Sequence, residues 1–162
     1  MITATSQLYQ SDPDIQRIAI IMPSALYFQS GVRDFTLEMV RNLTGLADQW
    51  AFRFQTIVDE LCNNAIEHGS YPGEEIVLSF YTKPSQWLEI IVEDKGNGGK
   101  IIDAKELTVL INARKDLPDS EVHGLRGRGL ARIVARWTDE LEFKNRPEGG
   151  MLVRARKYIQ SA

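Results

Sequence analysis

Three short segments of this 162-residue chain carry residue types at spacings that suit chemistry. In the first, Asp59-Glu60-Leu61-Cys62-Asn63-Asn64-Ala65, a helix would put Glu60 and Asn64 on one face, because they stand one turn apart. An amide oxygen is a hard, neutral ligand for a magnesium ion already partly bound by phosphates. A carboxylate one turn away is placed to accept a proton from an attacking hydroxyl or water. The second segment, Glu93-Asp94-Lys95-Gly96-Asn97-Gly98-Gly99, directly follows an apolar run. Asp94 at the end of a strand can accept hydrogen bonds from the exocyclic amine of a base, while Gly96 and Gly98 let backbone approach a planar ligand. The third, Gly124-Leu125-Arg126-Gly127-Arg128-Gly129-Leu130, leads into a helical pattern. Free N–H groups at a helix start favour anions, and the guanidinium forks of Arg126 and Arg128 fit phosphate oxygens. It lacks the Gly-Lys-Ser/Thr ending of a Walker A loop, and it does not follow the first strand as a Rossmann fingerprint should. Each segment also has a plainer reading: an exposed polar helix face, a surface turn of Asp, Asn and Gly, and a flexible hinge.

The elements that would position these segments follow from hydrophobic periodicity. Residues 15–22 (IQRIAIIM) are short and β-branched and predict a first strand. Pro23-Ser24 opens a helical pattern in which Leu26, Val32, Phe35, Met39, Val40 and Leu43 recur at three- and four-residue spacings, with Gly45 as its stop. A second helix is expected over 47–68, with Phe52, Ile57, Leu61 and Ala65 along one side and Gly69 as its cap. Residues 75–82 and 87–93 predict two strands, residues 101–114 a short helix and 130–137 another. Residues 141–144 and 151–158 close the pattern as two strands around a turn at 145–150. Strands joined by hairpin-length connections and interleaved with helices predict an α+β two-layer sandwich in one domain, with residues 1–14 as a tail or edge strand.

Composition narrows the setting. One cysteine, Cys62, excludes an internal disulfide framework, and with only His68 and His123 beside it a zinc centre is not expected. No stretch approaches the roughly 20 apolar residues of a membrane span, and the first residues do not read as a secretion signal. A reducing, cytoplasmic location is the expectation. Residues 124–162 hold nine Lys/Arg against four Asp/Glu, whereas the part before them holds ten against eighteen. A basic C-terminal third suits phosphates, an acidic partner or simply a solvated surface. Trp50, Trp87 and Trp137 are expected in the core or at interfaces, and Cys62 as a small buried side chain.

In this order and spacing the three segments resemble the GHKL ATPase superfamily, which includes gyrase-type ATPases and histidine kinases. Residues 58–69 (VDELCNNAIEHG) look like its N-box, Asp94-Lys95-Gly96-Asn97-Gly98 like its Asp-x-Gly-x-Gly box, and Arg126-Gly127-Arg128-Gly129-Leu130 like its Gly-x-Gly box. The resemblance covers about residues 15–158. Within the superfamily the chain is most similar to the bacterial anti-sigma-factor serine/threonine kinases, compact domains with an Asn-Ala-x-x-His-Gly N-box. Histidine kinases usually begin the N-box with Asn rather than a residue such as Glu60, and they need an attached phosphoacceptor helix pair.

The resemblance implies a mixed, mainly antiparallel sheet with helices on one face and an ATP lid over about 99–125. It implies ATP and Mg²⁺ as cofactors, with Asn64 as the metal ligand and Glu60 as the catalytic base on an acceptor serine. Asp94 would bind the adenine amine, with Gly96 and Gly98 leaving space. Gly127 and Gly129, helped by Arg126 and Arg128, would hold the phosphates, and His68 would lie near the nucleotide. The implied activity is a protein serine/threonine kinase that binds a sigma factor and phosphorylates a serine on its STAS-type anti-sigma antagonist. Such a protein would act as a homodimer, without direct contact to nucleic acid or membrane. The alternative is a nucleotide-dependent partner-switching module with little or no transfer. One departure stands out: the family's last strand usually opens with Gly-Thr, whose hydroxyl supports the adenine-binding Asp, and here it reads Gly149-Gly150-Met151. That contact would be missing or replaced by backbone or water.

Overall fold

The computed structural model describes residue 9 and residues 11–96, 103–114 and 134–159. Strand β1 (Gln16–Pro23) leads into a 3₁₀ turn (Leu26–Phe28) and helices α1 (Gln29–Leu43) and α2 (Asp48–Asn64). A π-type turn (Ala65–Gly69) prolongs α2, followed by β2 (Glu75–Lys83), β3 (Trp87–Glu93), helix α3 (Ala104–Arg114), β4 (Glu140–Asn145) and β5 (Met151–Tyr158). The short stretch 134–137 is also helical. The strands form one sheet in the order β1-β2-β3-β5-β4, and every pair of neighbours runs antiparallel. The expected α+β sandwich with a mainly antiparallel sheet is therefore present. Among the described residues the parallel component is a single bridge, Ser70 to Gly96.

Strand alternation decides which residues meet the helices. Ile76, Leu78 and Phe80 of β2, Leu88, Ile90 and Val92 of β3, and Ala155 of β5 are buried with Val32, Met39 and Val40 of α1 and Phe54, Ile57, Val58 and Leu61 of α2. Each such fully buried aliphatic or aromatic side chain contributes about 1.5–3 kcal/mol. Helix α3 lies against β4, where Leu107 packs with Leu141 and Phe143 around Ile111 and Ala135. Gly45 holds a left-handed φ of 78°, which ends α1. Asp48 then opens α2 with a carboxylate that favours a helix N-terminus and also accepts a bond from Arg41 Nε at 2.7 Å.

Three apolar residues do not lie where periodicity puts them, among them Leu43, which is exposed at the end of α1. Leu26 belongs to the 3₁₀ turn rather than to α1 and is 55% exposed. Phe52 is 53% exposed beneath the Arg41 guanidinium, 5.3 Å from its ring centroid, so the buried stripe of α2 runs through Phe54 instead. The tryptophans do as expected: Trp50 and Trp137 pack on the main core and Trp87 on the opposite face of the sheet.

Candidate functional site

The end of α2 is where the first motif takes shape. Glu60 is only 6% exposed, because its helix face turns inward with Ile57 and Leu61. Burial, with the negative charges of Asp59 and Glu67 adding to it, pushes the Glu60 carboxyl up to about 7. A carboxylate with that value is half-protonated near neutrality, which suits a group that must accept a proton. Asn64 is the last residue of α2, one turn beyond Glu60, and is half-buried. Its neighbour Asn63 is engaged elsewhere, its Oδ1 accepting a 2.5 Å bond from Gln29 Nε2 of α1. Cys62 on the same helix is buried in the core, and desolvation pushes its thiol up to about 12, so it packs rather than reacts.

The raised Glu60 carboxyl has a consequence for stability. Its folded value lies above the unfolded 4.5, so the folded state binds the extra proton and stability falls as pH rises from about 4.5 through about 7. Glu60→Gln removes this liability. Its melting temperature is expected to exceed that of the parent at pH 8 and to converge with it below pH 4.5. Thermal melts at several pH values would test this, and equal gains at pH 4 and pH 8 would be evidence against a raised Glu60.

The helix does not simply stop. The π-type turn carries it to Gly69 and delivers Gly69 and Ser70 to the second motif. Such turns are frequent at functional sites. A Cβ on Gly69 would stand 2.3 Å from Asp94 Oδ2, so this glycine lets the carboxylate lie on the backbone. Its role is close approach, not the cap expected from its position: the capping residue is Ser70, in extended conformation. His68 is exposed, with Nε2 3.9 Å from the Glu67 carboxylate.

Asp94, just past β3, is 7% exposed. Its Oδ1 accepts two backbone N–H bonds, from Gly96 and from Met151, both at 3.0 Å. Burial raises the Asp94 carboxyl, and these two bonds and the Arg146 charge oppose that rise. At the start of the last strand it is thus the main-chain N–H of Met151 that supports the Asp94 carboxylate. Gly96, Gly149 and Gly150 all have positive φ, and a Cβ on Gly150 would fall 2.2 Å from the Asp94 carbonyl oxygen. A Cβ on Gly96 would come 2.8 Å from Gly150 N. Asp94-Lys95-Gly96 and the turn before β5 are therefore packed backbone to backbone.

The family model described as a histidine kinase-like ATPase domain matches residues 24–157, a range that includes all three motif segments and begins just after β1. The chain belongs to this family. A search of curated proteins found no match.

Histidine kinase-like ATPase domains of the GHKL type bind ATP, generally with Mg²⁺, and the described residues fit that pair. Asp94 offers a buried acceptor whose backbone partners fix its direction, and Gly69, Gly96 and Gly150 strip side chains from around it. Among the described residues no group of three or more His, Cys, Asp or Glu side chains could cage a metal ion. An ion held chiefly by phosphates and one neutral ligand such as Asn64 is compatible with that composition. In this ATPase domain the structure brings Asp94 and Gly96 together with the end of the Glu60–Asn64 helix through Gly69 and Ser70. Gly98, Arg126, Gly127, Arg128 and Gly129, with His123 and most of the expected lid, lie outside the described residues. Sequence reasoning missed Gly69, Gly150 and Arg146 as supports of Asp94. The Gly149-Gly150 pair was a visible signal, since two glycines before a strand permit close backbone approach.

Proposed function

We propose that this ATPase domain is a protein serine/threonine kinase of the anti-sigma type. It would bind a sigma factor and phosphorylate a serine on the STAS-type antagonist of that complex, working as a homodimer. The observation that carries the reading is Glu60: a buried carboxylate tuned to about 7, one helical turn before an asparagine. A domain that only bound nucleotide would have no use for an inward-facing base at that height. Glu60 takes the proton as the serine oxygen bonds to the γ-phosphorus, and the bond to the β-phosphate oxygen breaks to release ADP. Asp94 holds the adenine amine and so fixes the far end of the nucleotide. Asn64 would hold the magnesium ion, which neutralises phosphate charge when bound. Arg126, Arg128 and the N–H groups of Gly127 and Gly129 are assigned to the phosphates on the resemblance alone. Phosphoryl transfer asks mainly for such positioning and charge neutralisation.

Incubation with labelled ATP, Mg²⁺ and the antagonist tests the reading. Transfer to a serine is expected, slowed at least about a hundredfold in Glu60→Gln, with ATP affinity within about twofold of the parent. The transfer rate should rise with pH through about 7 and level off above it, since the base works deprotonated. ATP binding without transfer would leave the partner-switching alternative, and no ATP binding would end both.

A further inference from the structure

The β4–β5 turn holds more of Asp94 than a hairpin needs. The β3–β5 ladder ends at Glu93 and Leu152, and Asp94 N then donates to Met151 O at 3.0 Å. Met151 N returns the contact to the Asp94 side chain at 3.0 Å. The remaining backbone group, the Asp94 carbonyl, has no ladder partner; the guanidinium of Arg146 donates to it from Nη1. Nε of Arg146 lies 3.8 Å from Glu93 and Nη2 3.6 Å from Glu148, and its side chain is only 22% exposed. A surface turn arginine would ordinarily pair with acids alone, a contact worth little. Here it also reaches the main chain of the site residue itself. A buried carbonyl left without a donor is costly, so this bond decides where the Asp94 peptide sits.

Its neighbour in the turn makes the matching contact on the other side. Asn145 Oδ1 accepts from Ala104 N at 3.2 Å and Asn145 Nδ2 donates to Asp103 Oδ1 at 2.7 Å, which caps α3. Arg146 thus holds the backbone at Asp94, and the adjacent Asn145, the last residue of β4, holds Asp103 and Ala104 at the start of α3.

We propose that Arg146 is a positioning residue that sets base selectivity: through the Asp94 carbonyl it aims the Asp94 carboxylate at the exocyclic amine of a 6-aminopurine nucleoside triphosphate. This rests on the reading of Asp94 as the nucleobase contact. Arg146 does not touch the nucleotide. Its positive charge also opposes the burial that raises the Asp94 carboxyl. Without it the carboxylate swings or tilts, and a base with an amine loses more than a base with a carbonyl at the same place.

Titration calorimetry with ATP and with inosine triphosphate, which differ at that position, tests the assignment. The parent is expected to prefer ATP by at least about thirtyfold, the scale of one charge-assisted hydrogen bond and one mismatch. Arg146→Ala should weaken ATP about tenfold and inosine triphosphate by no more than about twofold, with Arg146→Lys recovering part of the preference. Equal weakening of both nucleotides would make Arg146 a phosphate contact and overturn the proposal, as would a drop in melting temperature with the preference intact. If Arg146→Ala does not fold, Arg146→Gln carries the same comparison with the same expected sign. Asp94→Asn separates the two layers: if it leaves the preference unchanged, Asp94 is not the nucleobase contact, whatever Arg146 does.

Discussion

Asp94→Asn is expected to weaken ATP binding about a hundredfold while leaving the fold intact. The reason lies in how the carboxylate is held. Two backbone donors, Gly96 N and Met151 N, converge on Oδ1. An asparagine must therefore place its carbonyl oxygen there, because the flipped amide would set its NH₂ against two N–H groups. The NH₂ then occupies the place of Oδ2 and meets the base amine donor to donor. The variant loses a charge-assisted acceptor, about 1.5–3 kcal/mol, and gains a repulsion, which together amount to roughly two decades in affinity. Titration of the purified variant with ATP would check this. A change of less than about threefold would mean that the nucleotide base sits elsewhere. Since burial raises the Asp94 carboxyl, ATP affinity should also decline as pH falls through its titration, and the parent alone should show that decline.

How far the sequence foretold this site depends on the range of the interaction concerned. Helix α2 is legible from its three-to-four-residue period, because it buries one regular face, and strands β2 and β3 from runs of branched and aromatic residues, β3 being buried on both faces. The mistakes came where a local signal had two explanations. Gly69 after a helix reads as a cap, yet the glycine is there because the Asp94 carboxylate lies on it, a contact between residues far apart in the chain. The 3₁₀ turn at Leu26 and the outward Phe52 broke a period that otherwise held. Gly150-Met151 departs from the family pattern, yet Asp94 is still supported there by the Met151 N–H, and main-chain donors carry no sequence signature. Arg146 gave no signal at all: a basic residue in a turn is ordinary, and its partner is a carbonyl 52 residues away.

The face of the sheet away from the helices holds the largest unforeseen feature, and Glu89→Ala should expose it as a loss of about 3–5 kcal/mol in folding stability. Glu89 shares a face with Trp87 and Ile91 and alternates with the core residues Leu88 and Ile90 along β3, yet it is 0% exposed. Its Oε2 accepts bonds from Arg154 Nη1 and Arg156 Nε, both at 2.7 Å, and its Oε1 accepts from the Tyr9 hydroxyl at 2.8 Å. Burial, with Glu89 beside it, pushes that hydroxyl up to about 12, so Tyr9 stays a donor. Arg154 has further partners in Glu140 at 2.8 Å and Glu142 at 3.1 Å. Among the described residues Arg156 would keep the hydroxyls of Tyr9 and Tyr158 and aromatic faces, the nearest being Trp87 at 4.2 Å, and no second carboxylate. Removing Glu89 therefore strands one guanidinium more than the other, and an uncompensated buried charge is the costly outcome, more so than the loss of the pair itself. Against a total of about 5–15 kcal/mol, that is a large share. Glu89→Gln keeps the acceptor oxygen and should lose only about half as much. Urea unfolding of both variants at neutral pH measures the difference, and added salt should change it little, since burial limits screening. A Glu89→Ala loss below about 1 kcal/mol would show that the arginines find other partners at once. Strand β5 links the two predictions: Arg154 and Arg156 anchor it to Glu89, and its first residue, Met151, holds Asp94. The folded fraction of Glu89→Ala should still bind ATP normally, because the Asp94 end of β5 is also pinned by the β4–β5 turn.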